Sequence, residues 1–223
     1  MIKAITCIKR KPGIPVEDFQ AYWRTEHAEV VKGLPNLRRY IQSHALLGGY
    51  RKGELPYDGI AEIWVDDVDA LRAMAGGDAY AAVQRDEENF IDRANMAMIL
   101  TQEHIIKDGP IPDGAVKNIE FVPRKTGMDV EAFQAYWRDV HGPIAAEIEV
   151  IRRYVQSHTL LGGYRDGRVP AWDGCAITWF DDVAAMRQSA QSEAYERTRK
   201  DEPNFLDTDE EIPFIITTEH VII

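Results

Sequence analysis

Arg38-Arg39-Tyr40-Ile41-Gln42-Ser43-His44-Ala45-Leu46-Leu47-Gly48-Gly49-Tyr50-Arg51 returns in the same chain as Arg152 to Arg165, with only Ile41/Val155 and Ala45/Thr159 changed. The offset is 114 residues, from Arg38 to Arg152. Phe19-Gln20-Ala21-Tyr22-Trp23-Arg24 recurs at the same offset as Phe133-Gln134-Ala135-Tyr136-Trp137-Arg138. One residue is inserted after Pro56/Pro170, so Tyr57 matches Trp172, Asp58-Gly59 matches Asp173-Gly174, Trp64 matches Trp179 and Tyr80 matches Tyr195. Asp86-Glu87-Glu88-Asn89-Phe90 returns as Asp201-Glu202-Pro203-Asn204-Phe205, and Glu103-His104 as Glu219-His220. A period this long, present twice, marks a duplicated domain and not a solenoid. The Gly- and Pro-rich segment Lys107-Asp108-Gly109-Pro110-Ile111-Pro112-Asp113-Gly114 reads as a linker. The expected domains are residues 1–106 and 116–223, with 107–115 between them.

Within the first repeat, alternation over about residues 2–9 predicts a strand. Phe19, Tyr22, Trp23, Glu26, His27 and Val30 fall at helical spacing. A strand over about 37–47 places Tyr40, Gln42 and His44 on one face and Ile41, Ser43 and Ala45 on the other. A third strand over about 59–65 ends at Asp66-Asp67, a helix start, and the helix that follows breaks near Gly76-Gly77. A last strand covers about 97–106. The order βαββαβ is the split ferredoxin-like unit. Its helices cover one sheet face and leave the other bare. The expected fold is therefore α+β, with two ferredoxin-like βαββαβ repeats packed face to face as one intramolecular α+β barrel. A homodimer of this pseudodimer is a further expectation.

The 223 residues are 45% hydrophobic and 28% charged, the balance of an ordinary globular chain. A net charge of −11 repels nucleic-acid phosphates, which excludes a nonspecific nucleic-acid partner. No apolar run reaches the roughly 18 residues of a membrane span. Met1-Ile2-Lys3-Ala4-Ile5 runs straight into a strand with no secretory h-region, so the expected location is cytoplasmic. Cys7 and Cys175 form no CxxC pair, and no Cys/His cluster has zinc spacing. They read as small buried apolar side chains, and no metal is expected. Phosphate-binding loops, GxSxG elbows and HExxH motifs are absent from the sequence.

The repeated motifs resemble those of the EthD-type family within the dimeric α+β barrel proteins. Its signature is a helix reading Y-W-x-x-x-H-G-P followed by a strand reading Y-x-Q-x-H. Tyr136-Trp137-Arg138-Asp139-Val140-His141-Gly142-Pro143 matches the helix in full, and Tyr22 to His27 matches as far as the histidine. Tyr40 to His44 and Tyr154 to His158 both match the strand. Asp86/Asp201 and Phe90/Phe205 also look like the family. The resemblance implies decarboxylation, dehydration or cyclisation of phenolic or polyketide-like compounds, mostly without a cofactor. Wider relatives bind haem.

All six histidines fall into repeat-related pairs. His44 and His158, with Tyr40/Tyr154 and Gln42/Gln156, are expected to face into the barrel, where a histidine can move protons and Tyr and Gln can bind substrate. The alternative is a structural hydrogen-bond network. His27 and His141 follow Trp23 and Trp137 by one helical turn, either as satisfied core residues or at a cavity mouth. His104 and His220 sit beside Glu103 and Glu219, but neighbours on a strand face opposite ways, so no direct Glu–His dyad is expected. Trp23, Trp137, Trp64 and Trp179 read as core, with Trp23 and Trp137 also candidate substrate contacts. Tyr57 and Trp172 could wall a pocket opening, and Asp58/Asp173 reads as turn chemistry. The clusters Asp86-Glu87-Glu88 and Asp207-Thr208-Asp209-Glu210-Glu211 read as solvated faces. The halves differ at Glu26/Val140, Glu62/Ile177, Cys7/Phe121 and Ile60/Cys175. If Glu62 faces the barrel, it and His44 make an acid/base candidate.

The expected function is a cofactor-independent lyase or isomerase acting on a small oxygenated aromatic or polyketide-like compound inside the barrel. The alternatives are a haem-binding barrel protein, or a non-catalytic binding or accessory protein of an aromatic or ether degradation system.

Overall fold

A computed structural model of the chain describes residues 1–208 and 212–223. The described residues form strands β1 (Ile2–Ile8), β2 (Arg39–Ala45), β3 (Gly59–Val65), β4 (Ala97–Lys107), β5 (Val116–Val122), β6 (Arg153–Thr159), β7 (Gly174–Phe180) and β8 (Phe214–Val221). They hydrogen-bond in the closed order β1-β3-β2-β8-β5-β7-β6-β4. This is the α+β barrel expected of two βαββαβ repeats. The first repeat carries helices α1 (Val16–Tyr22), α2 (Ala28–Lys32), α3 (Val68–Ala75) and α4 (Asp78–Glu87). The second carries α5 (Val130–Tyr136), α6 (Gly142–Ala146), α7 (Val183–Ser189) and α8 (Glu193–Asp201). No helix among the described residues is long and apolar enough to cross a membrane.

The chain condenses into two compact units, Met1–Leu100 with Thr217–Ile223, and Thr101–Ile216. In the first unit β3 lies antiparallel between β1 and β2, and Thr217–Val221 of β8 extends the sheet beyond β2. In the second, β7 lies between β5 and β6, and Thr101–Lys107 of β4 extends the sheet beyond β6. Sequence repeats and compact units thus differ in where the last strand belongs.

Aspartates start several helices as the sequence suggests. Asp67 Oδ1 accepts from the Ala70 N–H and Asp182 Oδ1 from the Ala185 N–H, each at 2.8 Å. Between α1 and α2 the backbone makes a π-helical turn, Trp23–His27, and between α5 and α6 another, Trp137–His141. In the second the Gly142 N–H reaches back to the Trp137 carbonyl. Such turns re-aim side chains and concentrate at functional sites. Here they bring Trp23 and Trp137 down onto the sheet.

The strand faces are the reverse of the sequence expectation. Tyr40, Gln42 and His44 turn towards the helices, where they bond to or stack on Trp23. Tyr154, Gln156 and His158 do the same with Trp137. The physical reason is the polar cargo of the helix: an indole N–H and a carbonyl buried beneath the π turn both need partners. Ile41, Ser43 and Ala45 take the opposite face. Glu62 pairs in register with Ile41 and shares that face. It accepts from Lys3 Nζ at 3.1 Å and from Ser43 Oγ at 3.2 Å. Glu62 and His44 therefore lie on opposite sides of the sheet, and the expected acid/base pair between them does not form.

Asp58-Gly59 and Asp173-Gly174 have a packing role beyond turn chemistry. A methyl group on Gly59 would meet the Trp23 ring at 2.3 Å and the Ser43 carbonyl oxygen at 2.9 Å. On Gly174 it would meet Ser157 O at 2.6 Å and the Trp137 ring at 2.7 Å. Each glycine is the floor on which a tryptophan lies. Gly59→Ala should destabilise the protein by at least about 1–3 kcal/mol, the usual cost of overpacking a filled core. Urea unfolding checks this, and an unchanged midpoint would show that Trp23 has room to move.

Candidate functional site

Both units carry the same network beneath their first helices. In the first, Tyr40 Oη accepts from Trp23 Nε1 at 3.0 Å and from Gln42 Nε2 at 2.9 Å. Gln42 Nε2 also donates to the Trp23 carbonyl at 2.7 Å. Both amide hydrogens are then used, so Gln42 Oε1, 3.0 Å from His44 Nε2, accepts from that ring nitrogen. His44 stacks on the Trp23 indole, with ring centroids 4.5 Å apart and planes 4° apart. The second unit repeats this with Tyr154, Trp137, Gln156 and His158 at distances of 2.8–3.2 Å. Burial, and then the neighbouring His220 or His104, pushes His44 and His158 down to about 3. Both rings stay neutral near pH 7. Their geometry is that of the hydrogen-bond network left open as the alternative.

His27 and His141, at the ends of the π turns, have a different setting. His27 Nδ1 lies 2.7 Å from Asp86 Oδ2, and His141 Nδ1 lies 2.9 Å from Asp201 Oδ2. The other carboxylate oxygen accepts from Tyr22 or Tyr136 Oη, each at 2.7 Å. Asn89 and Asn204 close the clamps. Burial raises both aspartates, but the hydrogen bonds they accept outweigh it and hold them below the usual carboxylate range. Burial lowers both imidazoles, partly offset by the aspartates. Asp86 and Asp201 are therefore anchors for a histidine, not parts of a solvated acidic face. Of the later acidic stretch, Asp207 accepts from Thr126, while Asp209, Glu210 and Glu211 lie outside the described residues.

The two units part company around these histidines. In the second, a cavity of about 620 Å³ opens between the sheet and the helices, and Trp137, His141 and Tyr154 line it. So do Asn118 and Glu120 of β5, Thr178 of β7, and Arg199 and Glu202 from the end of α8 onward. Ser189 and Thr198 add hydroxyls. None of these last seven was anticipated as a site residue. Their counterparts in the first copy are Ala4, Thr6, Ile63, Gln84, Glu87, Met74 and Val83. Glu202 keeps the residue type of Glu87, while the other six positions each replace a smaller or more apolar residue by a polar one. Glu202 is buried, and burial pushes its carboxyl up to about 7 although Arg199 Nη1 donates to it at 2.8 Å. Burial also pushes Glu120 up, while Asn118 Nδ2, 3.2 Å from its Oε1, pulls the other way.

The remaining expected site residues lie elsewhere. His220 meets His44 edge-on at 4.6 Å, and His104 meets His158 at 4.5 Å, in both cases half-buried and on the helix side of the sheet. Tyr57 lines a separate basic groove with Lys9, Arg10 and Lys11. Its counterpart Trp172 packs on Phe121 at 5.5 Å. Asp58 is fully buried, accepting from the Arg10 N–H at 2.8 Å and from Tyr50 Oη at 2.6 Å. Asp173 repeats this clamp with Arg124 and Tyr164. Cys7 and Cys175 are buried free thiols, as expected.

The fold is shared with proteins of very different sequence. An anthrone oxidase-like protein aligns over 99% of this chain and 93% of its own, with TM-score 0.64 and 11% identity. A candidate monooxygenase from Lactobacillus acidophilus NCFM aligns over 99% and 94%, with TM-score 0.58 and 12% identity. A chlorite dismutase variant from Candidatus Nitrospira defluvii aligns over 97% and 91%, with TM-score 0.53 and 9% identity. At such identities the likeness is one of fold. No curated protein matches the sequence. The EthD domain matches twice, at residues 11–94 and 125–209, spans that include both π turns, both Tyr-x-Gln-x-His strands and both histidine-anchoring aspartates. The chain belongs to the EthD domain family and carries that domain in tandem.

Proposed function

We propose that the cavity of the second unit is the site of a lyase or isomerase that works by acid/base chemistry on a small oxygenated aromatic or polyketide-like compound, without a cofactor. The observation that carries this reading is the presence, in one cavity, of an aspartate-anchored imidazole and a carboxyl held near neutrality. Environments that push two titratable groups to opposite duties are how acid and base roles are divided.

His141 donates its Nδ1 hydrogen to Asp201, which leaves the Nε2 lone pair for a substrate proton. With its pKa lowered, the ring is in the basic form at neutral pH. Tyr154 Oη accepts two N–H bonds, so its own hydrogen is left to donate to a developing enolate or phenolate oxygen. Burial raises its pKa and keeps that hydrogen in place. In a dehydration, Nε2 takes a proton from carbon and that bond's electron pair becomes the new double bond. The carbon–oxygen bond breaks, and the departing hydroxyl takes the proton of Glu202 and leaves as water. The imidazolium then returns its proton through solvent to the Glu202 carboxylate. Retro-aldol cleavage and decarboxylation use the same flow towards an oxygen held by Tyr154.

The test is to incubate the whole chain with a panel of hydroxylated aromatic and polyketide-like compounds and follow loss of water, carbon dioxide or a carbonyl fragment by mass spectrometry. For a compound that turns over, kcat/KM should fall on the acid side as His141 gains a proton, and on the alkaline side above about pH 7 as Glu202 loses one. A profile with no alkaline limb would remove Glu202 as the acid. Tight binding without turnover, insensitive to His141, would favour a non-catalytic binding protein.

A further inference from the structure

We propose that Glu120 makes this cavity selective for neutral, hydroxyl-bearing ring compounds and against ring carboxylates, so that loss of water or carbon–carbon cleavage, and not decarboxylation, is its chemistry. This rests on the reading of the cavity as the reaction site and narrows it.

On β5 the cavity presents a pair of acceptors. Asn118 and Glu120 stand two residues apart on β5 and so present to the same face of the sheet. Glu120 has one hydrogen bond among the described residues, from Asn118. Asn118 Oδ1 is buried without any partner among them. A buried acceptor left unmatched is costly, and a ligand hydroxyl is the group that would match it. Glu202 brings a second carboxyl to the same lining. The hydroxyls of Ser189 and Thr198 do not redress the balance, because they donate to the carbonyls of Met186 and Ala194.

Cations give a carboxylate ligand no counterweight inside. Arg199 is half-exposed and turns its Nη1 to Glu202. Arg187 is exposed at the rim. A ligand carboxylate would bring a charge into a space where burial already makes two carboxyls resist ionisation. A phenol or alcohol reverses each term, donating to Glu120 and to Asn118 Oδ1 with no added charge. The first copy has Ala4 and Thr6 at the two β5 positions, so the acceptor pair belongs to the second copy alone.

The test measures binding by calorimetry on the whole chain at about pH 8, where a carboxylic acid ligand is ionised. The probes are resorcinol and 2,4-dihydroxybenzoate, which share the hydroxyl pattern and differ by a ring carboxylate. The wild type should prefer resorcinol by at least about tenfold, and Glu120→Gln should shrink that preference to within about threefold. Glu120→Thr, which installs the residue of the first copy, is the second variant should the glutamine disturb folding, and the same narrowing is expected. Equal or tighter binding of the acid by the wild type overturns the proposal. So does a preference that neither variant moves, or failure of both probes to bind. The acid/base reading fails separately. Its mark is turnover that survives His141→Asn, a change that leaves the probe preference intact.

Discussion

Replacing His141 by asparagine lowers turnover by roughly 10²–10⁴-fold, the usual weight of a positioned general base. The same replacement at His27 leaves turnover within about threefold of wild type. The two histidines are close to a matched pair. Each ends a π turn, each is clamped by an aspartate that also holds a tyrosine, and each packs on a phenylalanine, Phe90 or Phe205. Each variant also forfeits a bond to a charged group, a stability cost of about 1.5–3 kcal/mol. Stability therefore does not separate them, but surroundings do. His141 opens on Glu120, Glu202 and Thr178, whereas the positions matching them around His27 are Thr6, Glu87 and Ile63. Parallel kinetics and urea unfolding on both variants make the comparison. Equal loss of turnover in both would place the chemistry in both copies and overturn the assignment to the second.

Glu202→Gln should make the protein more stable at about pH 8 by up to roughly 3 kcal/mol and leave it unchanged at about pH 4. The sign follows from the direction of the shift. In the unfolded chain the carboxyl ionises near its reference value of 4.5, while in the folded protein it holds its proton up to about 7. Below the lower value both states are protonated and Glu202 contributes no pH dependence. Between the two values the unfolded state alone gives up the proton, so stability declines as pH rises. Above the upper value the full penalty remains, and glutamine, which never ionises, avoids it. Urea unfolding of both proteins at the two pH values decides the matter. A wild type no less stable than the variant at the higher pH would mean that Arg199 fully compensates the buried charge. Loss of activity together with gain of stability is the expected signature of a residue kept for chemistry.

Much of the fold is legible in the sequence because repetition supplies what a single copy cannot. The strand expected over about 2–9 is Ile2–Ile8, that over about 59–65 is Gly59–Val65, and the break near Gly76-Gly77 separates α3 from α4. The faces of β2 and β6 are not legible. Alternation sorts residues into two sets but does not say which set meets the helices. Polar Tyr40, Gln42 and His44 suggest a ligand-facing side until the buried Trp23 N–H and carbonyl that need them are seen. The cavity is half legible. Motif residues His141, Tyr154 and Trp137 line it as their types suggest, yet Glu120, Asn118 and Glu202 are scattered over β5 and the end of α8. No local pattern unites them, and only alignment of one copy with the other reveals Ala4 against Asn118 and Thr6 against Glu120.

The placement of Thr217–Val221 on β2 also sets a timetable for synthesis. Residues 39–45 leave the ribosome early, and the strand that pairs with them beyond β3 follows some 170 residues later. At typical elongation rates of roughly 5–20 residues per second, that edge waits on the order of ten seconds or more. An open edge strand is a template for pairing with any other extended chain. The first copy must therefore pass through biosynthesis unfinished, while the second receives Thr101–Lys107 ahead of all its other strands. The copy that holds the cavity described above is thus complete without waiting for residues 217–223, and the first copy closes last.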